Sequence, residues 1–261
     1  MHRLFLSVDM VGSTEFKARL TGQGSASWLD VFQTFFTTFP LMAAGQVGLA
    51  FLEDESTPAL DVWKVMGDEV VFVAEPKSGE EVTLFLTALL RTMRLYEARH
   101  FTEMPLRLKG TAWLADFDGQ NIEIEIPELS GEGGAHLDYI GPDIDLGFRI
   151  SKFARQGAMV VSLEVAEVVL AASNAAQAAF YMMGREPLKG VMFGRAYPIL
   201  WMRDADEAFG FLPWEIEADA MMAAALRAEP ASPAELKALI DDMRHYLRKM
   251  HHVDRRPAQL G

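Results

Sequence analysis

The 261-residue chain contains no cysteine. Disulfides, thiolate metal sites and Cys nucleophiles are thereby excluded, and the absence fits a cytoplasmic protein. Basic residues are scarce: 24 Lys and Arg against 37 Asp and Glu give a net charge of −13 and a pI near 4.9. Such a chain repels polyanions, so neither a nucleic-acid nor an anionic-membrane partner is expected. A nucleotide phosphate stays compatible, because a bound divalent cation inverts the local field. No stretch of ~18 apolar residues runs free of charge, which excludes a transmembrane helix. The apolar run at the N-terminus is broken by Asp9 and followed by no small-residue cleavage site, so it does not read as a signal peptide. Internal repeats and low-complexity tracts are missing. So are a Gly-x-Gly-x-x-Gly turn after a strand and a Gly-x-Ser-x-Gly elbow, and the six histidines show no metal-ligand spacing.

What is present is a half-hydrophobic chain, enough for one sizeable core and an appendage. Residues 3–11 are rich in β-formers and end at Gly12, the pattern of a buried strand running into a turn. Ser13 or Thr14 can cap the helix that follows. Apolar residues recur at helical spacing over 27–42, and 45–51 reads as a short strand. The acidic segment 52–58 reads as a loop. Two β-rich runs, 60–66 and 69–74, flank Gly67-Asp68, a hairpin signal. An amphipathic helix is predicted over 78–99 and a strand over 106–115, with 121–126 as its hairpin partner. Then follow a loop at 131–135, a helix over 141–154 and a short strand over 158–162. Helices are predicted over 162–170 and 174–180, and a terminal strand pair over 189–202.

Strands alternate with helices and two hairpins sit among them, which predicts an α+β fold with a mixed, mostly antiparallel sheet and packed helices. Beyond residue 203 the pattern turns helical. Ser232-Pro233-Ala234-Glu235 is a capping box with Pro at the first helical position, opening a helix to about residue 251. The expected organisation is a domain over 1–203 and a helical C-terminal extension over 204–261.

Two acidic residues stand out. Asp9 lies inside an otherwise apolar strand, and Asp68 sits at a hairpin tip. A buried carboxylate is costly unless it is paired or binds a metal. Two strand-borne carboxylates make an oxygen site for hard divalent ions, with phosphate and water completing it. The plainer reading is a strand-end Asp capping the next turn. Farther on, Asp145 and Arg149 are four apart on a predicted helix and share a face. Arg149 is suited to stabilising charge on a phosphate, or the two simply form a surface ion pair.

The wording around these residues is more specific. Residues 5–14 read Phe-Leu-Ser-Val-Asp-Met-Val-Gly-Ser-Thr, residues 64–72 read Lys-Val-Met-Gly-Asp-Glu-Val-Val-Phe, and residues 138–149 read Asp-Tyr-Ile-Gly-Pro-Asp-Ile-Asp-Leu-Gly-Phe-Arg. In this order they resemble the signatures of the class III adenylate/guanylate cyclases, and the resemblance covers roughly residues 3–202. It implies that Asp9 and Asp68, with the Met10 backbone carbonyl, hold two Mn²⁺ or Mg²⁺ ions per site. The segment holding Gly12, Ser13 and Thr14 would lie against the triphosphate. Lys64 and Asp138 would contact the base, and Asp145 and Arg149 would act on the ribose and the transition state. The family usually has Asn where Asp145 stands, which puts that residue's role in question. Leu188-Lys189-Gly190 is similar to a family turn whose lysine reaches the triphosphate.

The family draws the metal residues and the base and transition-state residues of one site from different subunits. The implied assembly is therefore a homodimer with composite active sites. The compact chain, the Trp-Lys-x-x-Gly-Asp-Glu hairpin, the acidic insertion and the helical tail resemble the pyrimidine cyclases of bacterial Pycsar anti-phage systems. That implies UTP as substrate, cyclic UMP as a second messenger, and an effector linked only through the cyclic nucleotide. Candidate fillers that would favour the smaller base are Phe51, Trp63 and Tyr139. The alternatives are a cytidylate cyclase, an adenylate cyclase and a degenerate nucleotide-binding regulatory module.

Overall fold

The computed structural model describes residues 1–19, 28–52, 57–130, 135–255, 258 and 260. Its centre is strand β1 (His2–Val11), buried on both faces by alternation. Leu4, Leu6, Val8 and Met10 enter the main core, while Phe5 enters a smaller aromatic cluster on the opposite face. β1 is flanked by antiparallel partners on both sides. These are β3 (Glu69–Ala74), which forms the hairpin with β2 (Asp61–Met66), and β4 (Arg107–Asp116). β7 (Met159–Val161) joins β4 in parallel, followed by β9 (Ala196–Asp204) and β8 (Ala178–Pro187). Among the described residues the sheet has seven strands in the order β2-β3-β1-β4-β7-β9-β8. With one parallel pair, it is the mixed, mostly antiparallel sheet expected.

After the short α1 (Ser13–Arg19), helix α2 (Trp28–Ala50) packs on α3 (Gly79–His100). Both helices line the main core. α3 begins at Ser78, whose hydroxyl accepts the Glu81 N–H, a true N-cap. The strand expected over 45–51 does not form. Val31, Phe35, Phe39, Ala43 and Val47 are buried at four-residue steps, and this stripe carries α2 through Pro40 to Ala50.

Two other expectations are corrected. The segment 121–126 does not pair with β4, because both edges of β4 are taken by β1 and β7. It forms β5 (Ile122–Glu125), which pairs with β6 (Leu137–Ile140) in a separate two-stranded ribbon. The helix expected over 174–180 shrinks to a 3₁₀ turn, Ala175–Gln177, ahead of β8. Its alanines favour a helix, but Phe180 and Tyr181 are buried as part of β8, paired along β9. The terminal strand pair is thus β8 and β9, and residues 188–195 form the turn between them. The loops predicted over 52–58 and 131–135 fall largely on 53–56 and 131–134, outside the described residues.

Helix α4 (Pro142–Ile150) lies on the aromatic face of the sheet, with Ile144 and Phe148 in that cluster. α5 (Leu163–Ala171) starts at Ser162, whose hydroxyl accepts the Val165 N–H. The C-terminal segment is helical as predicted: α6 (Pro213–Ala218), α7 (Ala220–Ala225) and α8 (Pro233–His251). The Ser232–Glu235 capping box forms at the head of α8. Met222, Leu236, Ile240, Met243 and Leu247 enter the same core as the sheet.

Candidate active site

β1 and β3 pair so that Asp9 stands opposite Glu69, and Asp68 follows one residue away at the hairpin tip. The tip is also tied to β1, since the Met10 N–H donates to the Asp68 carbonyl at 3.3 Å. The Ser13 hydroxyl donates to the Asp68 carboxylate. Gly12 makes this junction possible. Its φ is +86°, and a Cβ there would overlap the Pro105 carbonyl. Ser13 is buried and Thr14 is exposed beside it.

The field here is acidic. Burial pushes the Glu69 carboxyl up; the Ser7 hydroxyl opposes this, and the neighbouring charge of Asp9 adds to it. Lys109 of β4 answers the cluster, 2.8 Å from Asp9. Lys109 was not singled out from the sequence. No spacing signal marked it, since β4 also carries Arg107 and Asp116.

Among the described residues, no cluster of three or more Asp, Glu, His or Cys side chains could hold a metal ion. A divalent cation would therefore rely on Asp9, Asp68 and backbone oxygen, with substrate and water completing its shell. That all-oxygen donor set suits Mg²⁺ or Mn²⁺.

Lys64 of β2 and Asp138 of β6 meet at 2.6 Å. Burial raises the Asp138 carboxyl, but the Lys64 hydrogen bond and the Tyr139 N–H outweigh it and leave it below the usual carboxylate range. Beneath the pair is a floor of rings. The Lys64 ammonium sits 4.0 Å over Trp63, and Trp63 and Tyr139 pack edge to face on Phe5. Phe51 is not part of this floor, because it packs on Phe85 in the helix-side core.

Asp145 and Arg149 form an ion pair at 2.9 Å on α4, with Asp145 63 % exposed. The plain surface-pair reading of these two thus describes their geometry. The turn after β8 approaches them. Gly190 (φ +73°) lies beside the Arg149 guanidinium, and Lys189 is exposed next to it. Asp145, Arg149 and Gly190 border a cavity of about 200 Å³ lined also by Met192, Met243 and Leu247.

The sequence reading also passed over Asp143 and Arg255. Asp143 is buried on α4; it accepts from the Asn121 amide at 2.7 Å and pairs with Arg255 at 3.0 Å. Burial raises its carboxyl and Arg255 opposes the rise.

No protein-family model matches the chain, and no curated protein matches its sequence. Solved structures do match in shape. The adenylyl cyclase CyaB from P. aeruginosa superposes with a TM-score of 0.57 at 15 % identity, over 80 % of this chain and 97 % of that one. The guanylate cyclase domain of RhGC from Catenaria anguillulae, solved in complex with GTP, gives 0.55 at 10 % identity, over 78 % and 96 %. A Trypanosoma brucei adenylate cyclase in its monomeric state gives 0.53 at 12 % identity, over 80 % and 92 %. With the sheet order and the placement of β1, the hairpin and α4 described above, these likenesses give the chain the catalytic-domain fold of the class III adenylyl and guanylyl cyclases.

Proposed function

We propose that the chain is a nucleotide cyclase that closes a nucleoside triphosphate into its 3′,5′-cyclic monophosphate and releases pyrophosphate. The observation that carries this reading is the Lys64–Asp138 contact. It joins two residues 74 positions apart, one donor and one acceptor, on an aromatic floor.

The ribose 3′-oxygen attacks the α-phosphorus, the bond to the pyrophosphate oxygen breaks, and the 3′-hydroxyl proton is released. Asp9, Asp68 and the Met10 carbonyl would hold two Mn²⁺ or Mg²⁺ ions, which when bound acidify the 3′-hydroxyl and neutralise the phosphates. The Gly12 turn lets the backbone of residues 10–14 approach the triphosphate closely, and Lys189 supplies a further cation. Lys64 and Asp138 present a donor and an acceptor to one edge of the base. Arg149 meets the charge that grows on the α-phosphate, and Asp145 accepts from the ribose.

Uracil offers O4 to Lys64 and N3–H to Asp138. The bulk of Trp63 and Tyr139 beneath the pair favours the smaller ring, so UTP is the proposed substrate. Cyclic UMP would then be the messenger of an anti-phage system whose effector senses the cyclic nucleotide alone. The working assembly is a homodimer in which one chain supplies Asp9 and Asp68 and its partner supplies the base and transition-state residues.

One observation favours a second reading. Asp145 holds Arg149 in an ion pair, as expected of a module that binds nucleotide without turning it over. Incubating the protein with ATP, GTP, CTP or UTP, each with Mn²⁺ or Mg²⁺, and identifying products by mass spectrometry separates the possibilities. Cyclic UMP should dominate. Dominant cyclic AMP or cyclic CMP overturns the base assignment, and no cyclic product from any triphosphate leaves the regulatory module.

A further inference from the structure

We propose that Arg255, at the end of the C-terminal extension, is a positioning residue that clamps helix α4 and so sets the place of Arg149. The proposal rests on the cyclase reading for its catalytic purpose and on the packing of α4 for its geometry.

α4 starts at Gly141, which has no side chain to cap the helix. Its first turn is held from outside. Asp143 accepts from the Asn121 amide at 2.7 Å and from the Asp116 N–H at 3.2 Å. Its other oxygen faces Arg255 at 3.0 Å. A second nitrogen of the same guanidinium reaches Glu164, in the first turn of α5, at 2.9 Å. Arg255 is 22 % exposed, and both carboxylates are more buried than it is. One planar fork therefore bridges the first turns of two helices, a task that needs two donor directions. Without it, Asp143 and Glu164 lose the guanidinium that joins them. The tie between the first turns of α4 and α5 is then gone, and the first turn of α4 is left with its contacts to Asn121 and the Asp116 N–H.

The extension also reaches the other end of α4. Val253, Met243 and Leu247 wall the cavity of about 200 Å³ whose opposite side is Asp145, Arg149 and the turn at Gly190. Asp143 and Arg149 share a short rigid helix, so a shift at the clamped turn is carried to the guanidinium.

Hydrogen exchange read by mass spectrometry on the full chain tests the clamp, with kinetics and thermal unfolding alongside. In Arg255→Met, amides of residues 143–150 should exchange at least about tenfold faster, while those of 69–74 stay protected. Turnover should fall by roughly ten- to a hundredfold with KM unchanged, as misplacement of a transition-state group does. Arg255→Lys keeps the charge without the fork and should recover part of kcat. The double variant R255M/E164Q removes one buried charge along with the cation, which keeps the fold attainable; the tie to α5 is still lost, so α4 should exchange faster than in wild type but less fast than in Arg255→Met. Unchanged exchange of α4 overturns the clamp. A loosened α4 with unchanged kcat overturns the positioning role. A wild-type protein that makes no cyclic nucleotide refutes the cyclase reading, and with it the positioning role. The exchange data still decide the clamp.

Discussion

Lys64 and Asp138 pair across 74 residues of chain, and each is only partly buried, so their contact adds modestly to stability. Its weight is chemical, a donor and an acceptor fixed side by side. Asp9 and Asp68 are placed by register instead, one opposite Glu69 and one just past it. Asp9→Ala or Asp68→Ala should lower turnover by about three orders of magnitude, since each removes a ligand worth several kcal/mol in the transition state. The fold should persist in both: Lys109 is partly exposed and can turn to water, and the buried Ser13 hydroxyl is one neutral donor whose lost acceptor costs about 1–3 kcal/mol. Near-normal activity in either variant would remove the metal assignment. Asp145→Asn releases Arg149 from its exposed ion pair and should raise turnover about two- to tenfold, while stability changes by no more than about 0.5 kcal/mol. A fall in kcat would instead make the Asp145 charge part of the reaction. The motifs made these residues legible from the sequence. Lys109 and Arg255 were not, because a single basic residue carries no spacing signal.

At the scale of elements, α4 depends on a close approach that periodicity does not reveal. Gly147 lies directly on the Trp113 ring of β4, and a Cβ there would fall within the indole. Gly147→Ala should therefore destabilise the protein by about 1–3 kcal/mol through overpacking. It should also cost activity beyond that loss, because α4 must lift and Arg149 with it. Chemical denaturation and kinetics on one preparation check both, and an unchanged midpoint would mean that α4 does not sit on Trp113. Elements with a local signal were legible: the Gly67-Asp68 hairpin, the amphipathic period of α3 and the Ser232 box of α8. The strand misread at 45–51 and the helix misread at 174–180 share one cause. Val47 and Phe180 are assigned by what they pack on, not by the propensity of their neighbours.

For the whole molecule, composite sites make a quantitative claim. Mixed and re-equilibrated, Asp9→Ala and Arg149→Ala chains should regain about a quarter of wild-type activity, since half of the dimers are mixed and each has one intact site of two. No recovery would mean that each site is built within one chain. Acid stability is also a global property. Glu80 accepts the Ser173 N–H at 2.7 Å, tying the head of α3 to the segment after α5, and its carboxyl is pulled down to about 2 by that bond. A carboxyl depressed in the folded state stabilises it fully above the unfolded value and loses that contribution as pH falls toward the folded one. The stability gap between wild type and Glu80→Gln should thus close between about pH 5 and pH 2, read from unfolding midpoints. A gap that stays constant would show that the Glu80 charge is not the source.

The sequence by itself determined what is local: hydrophobic periods, capping residues, the tight hairpin turn and three motifs whose internal spacing marks a set of charges. Those signals act within a few residues, so they survive without the fold. Only the tertiary structure decided which strands share edges, that β5 leaves β4 for β6, that Lys109 answers Asp9, and that a C-terminal arginine stands between α4 and α5. These are meetings of residues tens of positions apart, settled by burial and by the need of each buried charge for a partner, and no local pattern encodes them.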